Sequence, residues 1–143
     1  MRTLIMRRTS VLFAIGLSVS AHLSACAHSG PDLAGSEWRP QKIDSVDVPG
    51  EPEMFVRFGE GGRLEGHGGC NRFFGSYTLS SGKVAIGPIG ATRMACQEPV
   101  MDRETSFLRA LESARRFKRD RIDLRMTGDE GNAVIRLIQR DAD

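Results

Sequence analysis

The chain has 143 residues, with 20 Lys and Arg against 18 Asp and Glu, a formal charge of +2, and a 40% hydrophobic share. That length holds one domain with a modest core and argues against two. The near balance of charge gives no case for nucleic acid, because Arg2, Arg7 and Arg8 belong to a leader whose loss takes the formal charge from +2 to −1.

The leader has those three arginines, no acid, an apolar run from Val11 to Ala21, and then Leu23-Ser24-Ala25-Cys26. This is the layout of a secretory signal peptide. A membrane-spanning helix needs about 20 apolar residues, and Ser18, Ser20 and His22 interrupt a run already shorter than that. Leu23-Ser24-Ala25-Cys26 resembles the lipobox of bacterial lipoproteins, in which the Cys becomes the first mature residue and carries a diacylglycerol thioether and an N-acyl chain. Several acyl chains together give stable attachment. The expected division is a lipoprotein signal peptide at 1–25, a tether at 26–32 beginning with lipidated Cys26, and one domain at 33–140. Residues 27 and 28 are Ala and His, not the Asp of an inner-membrane retention signal. The expected location is therefore the cell envelope, on the periplasmic face of the outer membrane.

From Leu33 onward, short apolar or alternating segments are separated by Gly, Pro, Ser and Asp, the pattern of consecutive short strands. Strands are predicted at Glu37 to Ile43, Met54 to Phe58, Arg63 to His67, Phe73 to Leu79, Lys83 to Ile86, Ile89 to Met94, Arg121 to Met126 and Ala133 to Gln139. Hairpin turns are expected at 59–62, 80–82 and 128–132, where glycines tolerate positive φ. Ile122, Leu124 and Met126 alternate with Asp123 and Arg125, as on a strand buried on one face.

One helix follows Pro99. Its apolar face is predicted from Met101, Phe107, Leu108 and Leu111, with Arg115 and Arg116 complementing the negative pole at its end. The run from Arg115 to Arg121 reads as that helix end and a solvent-facing turn rather than a surface for anionic lipid or nucleic acid.

Taken together, Gly69-Cys70-Asn71 with Gly75 and Tyr77, then Thr92-Arg93-Met94 with Cys96, then Glu104 to Leu111, resemble in order and spacing the META domain family, including the HslJ-like heat-inducible envelope lipoproteins. Leu33 to Trp38 looks like the family's opening segment, although Glu37 replaces the small or β-branched residue many members have. The resemblance implies an α+β fold, an antiparallel sheet curled into a partial barrel of about eight short strands with one packed helix. It also implies no enzyme activity.

Cys70 and Cys96, outside the cytosol, are expected to form a disulfide, with buried free thiols as the competing reading. A metal set of His67, Cys70 and Cys96 lacks a fourth ligand, so no metal and no cofactor are expected. His67 lies between glycines, as a loop residue would, and no paired carboxylates suggest acid–base work, so no catalytic residue is assigned. The glycines at 66, 68 and 69 precede a strand rather than a helix, which excludes a phosphate-binding loop. The function expected is binding or scaffolding in envelope homeostasis or stress, by a monomeric domain whose partners are the membrane, through its lipid, and an envelope protein. A carrier of a small apolar molecule is the alternative, and an envelope enzyme a more distant one.

Overall fold

The computed structural model describes residues 33–140, so the leader, Cys26 and the tether lie outside the described residues. In chain order the elements are β1 (Ser36–Ile43), β2 (Val46–Asp47), β3 (Phe55–Phe58), a 3-10 turn (Glu60–Gly62), β4 (Arg63–His67), β5 (Arg72–Ser80), β6 (Lys83–Ile86), β7 (Gly90–Ala91), α1 (Glu98–Ser113), β8 (Arg116–Asp120), β9 (Asp123–Thr127) and β10 (Ala133–Gln139). Every strand pairing is antiparallel.

The wall runs β10-β9-β8-β6-β5-β4-β3-β1, and β1 pairs back onto β10, with Pro40 opposite Leu137 and Lys42 opposite Arg136. The expected curl of about eight strands therefore goes to closure, which leaves the wall without an unpaired edge. β2 extends β1 as a small hairpin, and β7 adds to β5. The thinnest seam joins β6 to β8, where Lys83 faces Arg116 and the backbone bonds run from Val84 N–H to Arg115 O (2.9 Å) and from Phe117 N–H to Gly82 O (2.9 Å). At the β5–β6 turn, Ser81 and Gly82 both have positive φ between the paired Ser80 and Lys83, the two-residue turn whose twist suits a hairpin.

Alternation along each wall strand sends one set of side chains inward. Trp38, Val56, Phe58, Leu64, Leu124, Met126 and Leu137 are buried to within 1% of complete, and Phe73, Tyr77, Val84, Ile86 and Phe117 join them. An eight-stranded barrel is just narrow enough for its own side chains to fill, and this one is filled. Phe58 and Tyr77 stack edge to face at 5.0 Å, and the Tyr77 hydroxyl donates to the Gly59 carbonyl at 2.9 Å.

The helix packs on β1, β6 and β10. Since β6 lies across the ring from β1 and β10, α1 must span one mouth of the barrel. It closes that mouth with Phe107, Ala110 and Leu111, and the Phe107 ring meets Phe73 at 5.8 Å. Among the described residues no helix is long and apolar enough to cross a membrane.

Four local expectations need correction. Arg116 to Asp120 is a wall strand, with Phe117 inward and Arg116 and Lys118 outward, because pairing with β9 across the Arg121-Ile122 turn outweighs continuation of the helix. Ile122 sits in that turn and is 53% exposed, so only Leu124 and Met126 of the alternating trio are core. The strand predicted over Ile89 to Met94 shrinks to β7, and beyond one backbone bond from Thr92 N–H to Arg72 O the segment that follows is tied by the Asn71 side chain and the Cys96 disulfide. On α1, Met101 is 39% exposed, and Glu104 and Ala110 occupy the buried face beside Phe107 and Leu111. Arg115 does serve the helix end, donating to the carbonyls of Glu112 (2.7 Å) and Ala114 (2.9 Å).

Candidate functional site

Two features concentrate polar chemistry. One is the β4–β5 junction, and the other is the outer face beside it.

At the junction the chain turns tightly, with Gly68 N–H bonding to Asn71 O at 2.8 Å and Gly69 at φ +100°. The Glu104 carboxylate enters this turn from α1. Its Oε2 accepts from the backbone N–H of Asn71 (2.6 Å) and of Cys70 (3.2 Å), and its Oε1 accepts from Asn71 Nδ2 (2.8 Å). Asn71 in turn accepts at Oδ1 from Met94 N–H (2.7 Å) and Thr92 Oγ1 (2.9 Å), while Nδ2 also reaches Met94 O at 3.4 Å. All four hydrogen-bonding capacities of the Asn71 side chain are thus used, which is how an amide only 4% exposed is tolerated. A Cβ on Gly68 would lie 2.5 Å from Glu104 Oε2, so only glycine leaves room for the carboxylate. The Cys70–Cys96 disulfide, with Cα atoms 6.0 Å apart, closes the same junction from the other side.

The motif residues Gly69, Cys70, Asn71, Thr92, Met94 and Cys96 therefore converge on one latch that fastens segment 92–97 and the start of α1 to the barrel. Tyr77 belongs to the core, and Gly75 lies under Pro88 and Ile89, where a Cβ would stand 3.3 Å from the Pro88 carbonyl. The Arg93 side chain is exposed. Both Glu104 oxygens are occupied by the protein's own N–H groups and both sulfurs are bonded to each other. The arrangement holds structure and presents neither a free base nor thiolates for a metal.

Glu104 has the central place in this latch, a role that sequence alone does not assign to it. Its signal was an acid at the i−3 and i−4 positions to Phe107 and Leu108, in the middle of an apolar helix face.

The outer face is built by register. One cross-strand row is Phe55, His67 and Arg72, and the next is Glu37, Arg57, Glu65 and Phe74. They line an open depression of about 450 Å³. Phe74 is 63% exposed, resting against Gly90, where a Cβ would come within 2.8 Å of its ring. The Arg140 guanidinium lies 5.1 Å from the centre of the Phe55 ring and is held there by Glu37 at 2.6 Å. His67 ends β4 rather than sitting in a free loop, and its Nδ1 accepts from Gly69 N–H at 3.1 Å, placing the neutral ring's proton on Nε2. Among the described residues Arg72 has no ion-pair partner, so an exposed ring and an uncompensated cation stand side by side.

A family model described as the META domain matches residues 31–141. The chain belongs to the META domain family. Among solved structures, an NMR structure of a protein from Burkholderia xenovorans is similar over 87% of this chain and all of that one, with a TM-score of 0.65 and 24% identity. A crystal structure of a DUF4847-family protein from Bacteroides vulgatus is similar over 78% of this chain and 96% of its own, at a TM-score of 0.55 and 14% identity. At such identities the likeness shows the small-barrel fold that this META domain shares with them. No curated protein matches the chain.

Proposed function

We propose that this META-domain protein is an HslJ-like lipoprotein of the bacterial envelope, tethered through acylated Cys26 to the periplasmic face of the outer membrane. In this reading it acts without catalysis, by binding a segment of another envelope protein at the β3–β5 outer face. The observation that carries the reading is the contrast between a barrel filled by its own side chains and an exposed Phe74 beside an open depression. A filled interior favours a protein partner over a small apolar cargo, since a carrier needs an enclosed cavity of a few hundred Å³. Phe74 with Arg72 suits a segment that offers an apolar side chain next to a carboxylate, the aromatic and arginine combination that dominates interface hot spots.

The anchor and the face are tested separately. Labelled palmitate is expected in the wild-type protein and absent from Cys26→Ser, and label retained by the serine variant rejects the anchor. A photo-crosslinking residue at position 74 is expected to give one discrete protein adduct in the envelope. That adduct should fall about tenfold with Arg72→Glu, while the melting temperature of this exposed-site variant stays close to wild type. A diffuse ladder, or an adduct indifferent to Arg72→Glu, removes the binding-face reading. Turnover of an envelope substrate that is lost in His67→Ala would replace it with an enzyme.

A further inference from the structure

On the opposite side of the wall, the registers of four neighbouring strands align one basic residue from each. Lys118 of β8 faces Arg125 of β9, Arg125 faces Arg136 of β10, and Arg136 faces Lys42 of β1. All four point outward. Lys83 and Arg116, a facing pair on β6 and β8, continue the basic surface. Like charges directly opposite on adjacent strands disfavour the sheet, so such a row is unfavourable for folding alone.

The acids nearby offset it in part. Asp47 takes Lys42 at 2.6 Å, and Asp123 takes Arg136 at 2.8 Å. The Arg136 hydrogen bond holds the Asp123 carboxyl below its usual range, with Arg136 and Arg125 adding attraction against some desolvation. Asp120 faces Asp123 at the margin. Lys118, Arg116 and Lys83 have no ion-pair partner among the described residues, and Arg125 shares the field of an Asp123 already bonded to Arg136. Asp44 and Asp129, which line depressions beside the row, pair with Arg109 (4.0 Å) and Arg115 (3.7 Å), so the surface keeps an excess of positive charge, the kind of local conflict that marks function.

We infer that this basic wall docks on an anionic phospholipid surface. The shape favours a lipid surface over an acidic peptide. The row crosses the barrel wall on long side chains, and the open depressions beside it each carry a carboxylate among the cations, about 220 Å³ with Asp44 beside Lys42, Arg125 and Arg136, and about 400 Å³ with Asp129 beside Lys83 and Arg116. A flat array of headgroups meets such a wall in many registers, with each cation contributing separately. An extended acidic peptide seated in either depression would meet that depression's own carboxylate, Asp44 or Asp129. The inference rests on register and charge and stands whether or not Cys26 is acylated.

Vesicle co-sedimentation of the full chain tests it, comparing phosphatidylcholine with and without phosphatidylglycerol. The part of binding that depends on phosphatidylglycerol is expected to fall about tenfold or more in Lys118→Glu/Arg125→Glu and to weaken with added salt. Lys118→Gln/Arg125→Gln, which keeps side-chain bulk without reversing charge, should lose less, and both should melt near the wild-type temperature. A charge-reversed variant that binds like wild type overturns the inference. So does tighter binding to soluble polyglutamate than to anionic vesicles, which would assign the wall to an acidic peptide.

Discussion

Glu104→Ala is expected to remove about 3–4 kcal/mol of stability, a large share of what a domain of this size has. Glu104 is 8% exposed, and its carboxylate satisfies three N–H groups, two from the Cys70-Asn71 backbone and one from the Asn71 side chain. Truncation strands those donors beneath α1, where water reaches them poorly, and each buried unsatisfied donor costs about 1–3 kcal/mol. The Asn71 side chain can swing toward solvent and lessen its part, which is why the total is set below the sum of three full penalties. Glu104→Gln, with its oxygen in the Oε2 place, keeps an acceptor for the two backbone donors but turns its NH2 group toward Asn71 Nδ2, so a loss of about 2 kcal/mol is expected. Urea unfolding with linear extrapolation measures both. Losses under about 1 kcal/mol in both variants would show that the junction stands without the carboxylate.

The contrast between these residues and the strands explains what the sequence made legible. The strands β4, β6 and β10 are readable to the residue because short apolar or alternating runs beside turn residues are a local property. The basic run at 115–121 hides its strand for the opposite reason. Its charges look solvated, and only pairing with β9 and β6 turns Phe117 inward and makes the run a wall strand. Closure of β1 on β10 joins residues a hundred positions apart, and no local pattern reports it. The motif residues could be picked out in order, but their purpose could not, because the latch exists only once α1 brings Glu104 to the β4–β5 turn. Phe74 was equally ambiguous in sequence, since Phe73 beside it is core and alternation alone does not say which of two adjacent rings faces out.

Loss of the disulfide is the second large effect expected, and it acts on the same junction. Cys70 and Cys96 are 26 positions apart, and closing a loop of that size restricts the unfolded chain by about 3 kcal/mol in the chain-entropy treatment. Cys70→Ser/Cys96→Ser should therefore unfold at a clearly lower urea concentration, with a similar slope if the unfolded state remains expanded. Thiol titration of unfolded protein purified without reductant should find no free thiol at these two positions, and two per chain would contradict the bond. The latch makes a further demand. Asn71 and Met94 tie the same two segments that the disulfide joins, so the losses from Glu104→Gln and from the double serine variant should not add. With the bond absent, segment 92–97 is held mainly by the Asn71 network and the Thr92 N–H to Arg72 O bond, and breaking that network then loosens the segment more than it does in the bonded protein. A coupling of about 1 kcal/mol in the double-mutant cycle is expected, whereas additivity within about 0.3 kcal/mol would mean that bond and latch stabilise the junction independently.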